Sequence, residues 1–210
     1  MEKRKHWENV YQTKDYTKVG WYQSSAEISL DLLKKIGISK EASVIDVGAG
    51  ASTFVDGLIK AGYKNITWLD LSKEAFDIVK ERLGDNHKIP SYLIEDVRTV
   101  SLPDRYDLWH DRAAFHFLQE EKEQQAYVQT MYDSLRSDGY AIIGTFALDG
   151  PDRCSDLPVR QYDRITMQNI VENLFTIVDV VESIHLTPSC GEQKFCFFIL
   201  QPVNGIQHDS

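Results

Sequence analysis

A chain of 210 residues with 42% hydrophobic and 26% charged side chains has the make-up of a globular domain with a sizeable core, and a net charge of −9 argues against a generic nucleic-acid binder. Its apolar runs are far too short to span a bilayer, and the N-terminal Met-Glu-Lys-Arg-Lys-His-Trp-Glu lacks the apolar region of a signal peptide. Cys154, Cys190 and Cys196 are odd in number and at no metal-like spacing, so the expectation is a reducing cytoplasm and no metal.

In chain order, a short helix over about Lys3–Tyr11 carries Trp7 and Tyr11 on one side, four residues apart. An aromatic segment, Gly20-Trp21-Tyr22, leads to a helix over Ala26–Lys35, with Ser25 as its expected cap and Gly37 after its end. Val44–Val47 reads as a buried strand, Gly48 and Gly50 as a tight turn, and Phe54–Ala61 as a helix capped by Ser52 or Thr53. A second strand, Ile66–Asp70, precedes a helix over Lys73–Leu83 capped by Ser72. Strands follow at Ser91–Ile94 and Tyr106–His110, then a helix over Glu120–Arg136 ended by Ser137-Asp138-Gly139, and a strong strand at Tyr140–Phe146. Residues 148–162 are rich in turn formers and read as a functional loop. A helix near Thr166–Leu174 and two strands, Phe175–Leu186 and Phe195–Leu200, joined by a hairpin-type turn, complete the pattern. Asn204–Ser210 read as a frayed end.

Alternating β and α units imply an α/β fold of the Rossmann-like, doubly wound type, with a parallel sheet, helices on both faces and an antiparallel edge. The expected organisation is one domain over 1–210, with residues 1–36 as a helical lid segment and 43–200 as the core. Ligands bind such sheets at the carboxyl ends of the strands. Asp46, Asp70 and Asp96 stand at three neighbouring strand ends, so all three carboxylates are expected to face one crevice. A carboxylate at the second strand end suits a ribose diol. Thr53 stands where a dinucleotide fingerprint needs glycine, and Asp46 is poorly placed beside a pyrophosphate, which disfavours an NAD-type oxidoreductase.

Asp46-x-Gly48-x-Gly50, Asp70 and Asp96, in this run of strands, resemble the class I S-adenosylmethionine-dependent methyltransferases. His110-Asp111-Arg112-Ala113-Ala114-Phe115-His116-Phe117 and Thr145–Pro151 are similar to a group of small bacterial methyltransferase-domain proteins. The resemblance covers about residues 7–200. It implies seven strands in the order 3-2-1-4-5-7-6, with strand 7 antiparallel, and S-adenosylmethionine as cofactor with S-adenosylhomocysteine as product. It implies that Asp46 and Gly48, Ala49 and Gly50 line the methionine side, that Asp70 with Leu71 holds the ribose, and that Asp96 with Val97 frames the adenine. The asparagine-proline-proline motif of nucleic-acid amino methylation is absent after the fourth strand, where Asp111-Arg112 stands instead.

Asp111 and Arg112 are expected at the crevice, Arg112 orienting a carboxylate of cofactor or substrate, or else paired internally with Asp111. His116 is either a general base or a packed core histidine. Trp21 and Tyr22 form a lid, with Trp21 toward the cofactor and Tyr22 toward the substrate, or else simply pack the N-terminal segment. From the loop, Arg153, Arg160 and Tyr162 are the expected polar contacts of the acceptor. The sequence thus points to methyl transfer to a small molecule or a protein side chain, by a monomer or homodimer. A non-catalytic binding module on the same fold is the alternative.

Overall fold

The computed structural model describes residues 2–102 and 104–203. Seven strands form one sheet: β1 (Val44–Val47), β2 (Ile66–Asp70), β3 (Ser91–Ile94), β4 (Tyr106–Arg112), β5 (Leu135–Phe146), β6 (Phe175–Leu186) and β7 (Glu192–Pro202). Their order is β3-β2-β1-β4-β5-β7-β6, the order that the resemblance implies. The first five strands are parallel to one another, and β7 runs antiparallel between β5 and β6. The helices are α1 (Glu2–Thr13), α2 (Glu27–Lys35), α3 (Phe54–Ala61), α4 (Lys73–Leu83), α5 (Glu121–Ser134) and α6 (Arg164–Val171).

All four residues of β1 are buried, as a strand covered on both faces requires. Side chains alternate across the sheet. Val44 therefore packs with Leu33 of α2 and Phe54 and Leu58 of α3, while Ile45 and Val47 pack with Val128 and Met131 of α5 and Met167 of α6. Each large apolar side chain buried in this way contributes about 1.5–3 kcal/mol. The same parity fixes which polar residues can reach which face, and it decides the site below.

Several local expectations need correction. The cap position of α2 is Ala26, with no side-chain bond, rather than Ser25. Ser137-Asp138-Gly139 does not separate a helix from a strand. β5 already starts at Leu135, because Leu135 is buried and pairs with Tyr106 across a register shift. Helix α6 starts earlier than expected, where Asp163 and Thr166 form a reciprocal capping box. Ser72 caps α4 as expected, accepting from the Ala75 N–H at 3.1 Å. The loop after β5 folds into a two-stranded hairpin, Arg153–Cys154 against Leu157–Pro158, turned by the left-handed residues Ser155 and Asp156. Residues 204–210 lie outside the described region. Among the described residues, no helix is long and apolar enough to cross a membrane.

A cavity at the carboxyl ends of the parallel strands

A cavity opens over the carboxyl ends of β1, β2, β3 and β4, the position that strand order favours for a ligand. Its floor includes Gly48 and Ala49 of the turn after β1, Asp70 at the end of β2 with Leu71 after it, and Asp96 and Val97 after β3. Helix α1 crosses its mouth and contributes Lys3, Trp7 and Tyr11. Glu8 anchors this helix: its carboxylate accepts from Ser72 Oγ and the Lys73 N–H at 2.9 Å, and from the Glu74 N–H at 3.1 Å. An acid at the start of α4 also complements that helix's dipole. Trp21, Tyr22, Tyr16 and Phe117 complete an aromatic enclosure, in which Trp7 meets Trp21 and Phe117 edge to face.

Asp70 is half-buried. Its Oδ2 accepts from the Gly50 N–H at 2.9 Å and its Oδ1 from the Ser72 N–H at 2.8 Å. Burial pushes its carboxyl up to about 6 despite these bonds. Each oxygen accepts one backbone N–H and keeps a lone pair for a further donor. Asp96 is gripped by Arg98, whose Nε donates at 2.9 Å and Nη2 at 2.6 Å. The Arg98 guanidinium holds this carboxyl below the usual carboxylate range. Arg98 also pairs with Glu123, which Lys3 of α1 reaches at 3.2 Å.

The glycine turn differs from the expectation of free N–H groups aimed at a ligand. The Ala49 N–H donates to Leu69 O at 3.1 Å, that of Gly50 to Asp70, and that of Ser52 to Ala49 O at 3.0 Å. The Ala51 N–H meets the hydroxyl of Tyr11 at 3.4 Å. Gly48 and Gly50 are both left-handed, at φ +60° and +49°. A Cβ on Gly50 would collide with the Tyr11 hydroxyl. Trp7 and Tyr11 carried a legible signal, their spacing on one helix face, but nothing local said that this face would cover the turn.

Two of the three strand-end carboxylates reach the cavity, and Asp46 does not line it. Asp46 shares parity with Val44 and points toward α2, where its Oδ1 lies 2.7 Å from His110 Nδ1. His110 Nε2 lies 2.8 Å from Ser29 Oγ, and its ring stacks on Phe54. This chain of three is at most 2% exposed, so its Asp-His-Ser order is no nucleophile. It ties β1 and β4 to α2. Asp46 Oδ2 is buried and without a partner in the described structure.

Asp111 has the opposite parity and faces α5. It accepts from the N–H groups of Ala114 at 2.9 Å and Phe115 at 3.0 Å, and from the Tyr127 hydroxyl at 2.7 Å. It is fully buried, burial raises its carboxyl to about 6, and it does not line the cavity. Its position is that of a brace for the turn after β4. His116 is likewise fully buried, packed on Phe117 and Phe146. Burial, with Arg112 nearby, lowers its ring to about 3, so it is neutral and lies outside the cavity wall. Neither residue is placed to touch a reactant there.

Arg112 does line the cavity. The alternative, an internal pair with Asp111, is not formed; Nη1 donates instead to Trp21 O at 3.0 Å. Tyr22 lines the cavity with Trp21. The three acceptor contacts expected from the loop do not. Arg153 is exposed and donates to Asp156 O, and the exposed Arg160 uses its backbone N–H on His116 O at 2.9 Å. Tyr162 is in the core, where its hydroxyl accepts from Gln124 Nε2 at 3.1 Å and its ring packs on Phe115. The loop reaches the cavity through Cys154 instead, a thiol that burial raises to about 11.

Residues 45–143 match the family described as a methyltransferase domain. The chain is 25% identical over 134 residues to malonyl-[acyl-carrier protein] O-methyltransferase 2 of Ilyobacter polytropus, covering 61% of this chain and 50% of that one. It is 32% identical over 104 residues to EEF1A lysine methyltransferase 2 of Mus musculus, covering 43% of each. It thus spans about half the length, or less, of these curated relatives. Among solved structures, a SAM-dependent methyltransferase from Anabaena variabilis superposes with a TM-score of 0.75 at 13% identity, over 95% of this chain and 93% of that one, a likeness of fold. With the methyltransferase-domain match over residues 45–143 and the strand order β3-β2-β1-β4-β5-β7-β6, the chain carries a domain similar to those of the class I S-adenosylmethionine-dependent methyltransferases.

Proposed function

We propose that the protein transfers the methyl group of S-adenosylmethionine to a small-molecule or protein side-chain acceptor by direct in-line displacement. The observation that carries this reading is the single cavity wall shared by the glycine turn, Asp70, Asp96 and an aromatic enclosure. The residues fit the cofactor. Asp70 keeps acceptor capacity on both oxygens for a ribose diol, and Asp96, Val97 and Leu71 supply a polar edge and apolar walls for an adenine. The cofactor supplies an electrophilic methyl group on a sulfonium. The chain's own task is positioning: it holds the acceptor in line and keeps water out. Trp7, Tyr11 and Trp21 serve that exclusion, which makes α1 and the Gly20–Tyr22 segment the lid. Aromatic faces also suit a cationic sulfonium.

The names of the relatives, a malonyl-[acyl-carrier protein] O-methyltransferase and an EEF1A lysine methyltransferase, support either class of acceptor. The reading includes a reducing cytoplasmic setting for the three free cysteines, a monomer or homodimer, and no nucleic-acid substrate.

A thermal-shift and calorimetric assay with S-adenosylhomocysteine tests the reading. Saturating ligand is expected to raise the melting temperature, by about 2.7 kcal/mol of added stability at a hundredfold excess over Kd. NAD at the same concentration is expected to have no effect. No response to S-adenosylhomocysteine would overturn the assignment, and binding without turnover on any carboxylate, amine or thiol acceptor would favour the binding-module alternative.

The affinity is also expected to depend on pH. The ribose hydroxyls donate to the ionised Asp70, whose carboxyl titrates at about 6 in the free protein. Protonation removes acceptor capacity, so affinity is full above this value and falls as pH drops through it toward 5. Calorimetric titration between pH 5 and 8 checks the sign. A flat profile for the wild type would remove Asp70 from the ribose site.

A further inference from the structure

We infer that the acceptor carries a carboxylate, and that the Nε–Nη2 edge of Arg112 is its anchor. Of the guanidinium nitrogens, only Nη1 has a partner, Trp21 O. Nε and Nη2 are buried and bond to nothing in the described structure. These two nitrogens form one straight fork, whose parallel N–H bonds match the two oxygens of a carboxylate. The same protein uses this edge twice more, each time on a carboxylate. Arg82 grips Asp56 through Nε at 3.0 Å and Nη2 at 2.7 Å, and Arg98 grips Asp96 in the same way. Arg112, half-buried with its Nε and Nη2 atoms out of contact with solvent, is the counterpart for which the described residues supply no acid.

A buried cation with open donors costs free energy unless it is paired. What surrounds this one does not pair it. The guanidinium carbon lies over the Phe195 ring, 4.7 Å from its centroid, which carries no charge; Cys154 is held as a neutral thiol, and His116 is neutral with both ring nitrogens unpartnered. The missing partner is therefore an anion, and one positive charge calls for a single negative one. That favours a carboxylate over a phosphate dianion.

The position assigns it to the acceptor. Arg112 ends β4, and its neighbours Phe195 and Cys154 belong to β7 and the loop after β5. Asp70 and Asp96 lie on the other side of β1, after β2 and β3. Two carbonyls of the segment that covers Arg112 tie it to the sheet: Trp21 O accepts from Arg112, and Gly20 O lies 2.9 Å from His185 Nε2. An entering carboxylate can take over the guanidinium while that segment shifts. The inference uses the methyltransferase reading for the word acceptor, and its test separates the two.

The probes are acetate, phenylacetate and indole-3-acetate, each compared with its own amide by calorimetry on protein saturated with S-adenosylhomocysteine. At least one carboxylate is expected to bind the wild type, with its amide about tenfold weaker or more. Arg112→Lys keeps the charge and loses the fork. It is expected to weaken that carboxylate about tenfold while S-adenosylhomocysteine affinity stays within about threefold. Melting of Arg112→Lys by circular dichroism checks its fold, and the acid–amide comparison on the wild type stands without any variant. If no carboxylate binds at millimolar concentration, or acids and amides bind alike, the inference is overturned. If Arg112→Lys weakens S-adenosylhomocysteine instead, the fork holds the cofactor's own carboxylate and the inference is equally overturned. Failure of the wild type to bind S-adenosylhomocysteine at all defeats the methyltransferase reading, while acid–amide selectivity is still measurable without it.

Discussion

Asp70→Ala is expected to weaken S-adenosylhomocysteine binding by about tenfold to a hundredfold and to lower the melting temperature as well. The first effect follows from losing charge-assisted hydrogen bonds to the ribose, about 1.5–3 kcal/mol. The second follows from the fold. Each Asp70 oxygen holds one N–H, that of Gly50 in the turn and that of Ser72 at the start of α4. A bare strand-end acid would be dispensable to the fold; the two backbone bonds of Asp70 make it a clamp between the turn and a helix. Leaving those donors unsatisfied costs about 1–3 kcal/mol each where they stay dry, and less where water enters. Asp70→Asn keeps one acceptor and is expected to lie between alanine and wild type in melting temperature. Calorimetry and thermal melts on the same samples separate the two effects. Unchanged affinity in Asp70→Ala would take the ribose away from this residue.

Gly48→Ala is expected to cost about 2–5 kcal/mol of stability and to abolish cofactor binding. Two terms add. Gly48 is left-handed at φ +60°, which costs an alanine about 1–2 kcal/mol. Its new Cβ would also overlap the Cβ of Ala114 in the turn after β4, and overpacking of that kind costs about 1–3 kcal/mol. Ala114 cannot retreat, because its N–H is bonded to the buried Asp111. The double variant Gly48→Ala/Ala114→Gly is expected to recover the steric term and leave the conformational one. Urea unfolding of the three proteins measures both. A single variant within about 0.5 kcal/mol of wild type would mean that the turn is free to relax.

The two expectations separate what local pattern carries from what packing carries. Alternating apolar strands and helices, the Gly48–Gly50 turn and the Ser72 cap are local properties of the chain, and from them the α/β class and the place of the crevice were legible. The strand order came from resemblance to a family, since periodicity says which residues pair with a core but not which strand lies beside which. Asp70 and Asp96 were legible because one is the last residue of its strand and the other follows its strand, where the chain leaves the sheet and the side chain meets the crevice. Asp46 and Asp111 lie within strands, so parity turns one toward α2 and the other toward α5, and only the packed helices say which face is which. Arg153, Arg160 and Tyr162 looked available because a polar loop shows no periodicity. The hairpin at Arg153–Pro158 and the core place for Tyr162 depend on where the chain returns after β5. Trp7 and Tyr11 were visible as one face of a helix. That this face roofs the cavity rests on Glu8, a surface acid by sequence, which bonds the start of a helix 64–66 residues away. The open fork of Arg112 is the extreme case: a missing partner is a property of every residue around it, and no stretch of sequence records it.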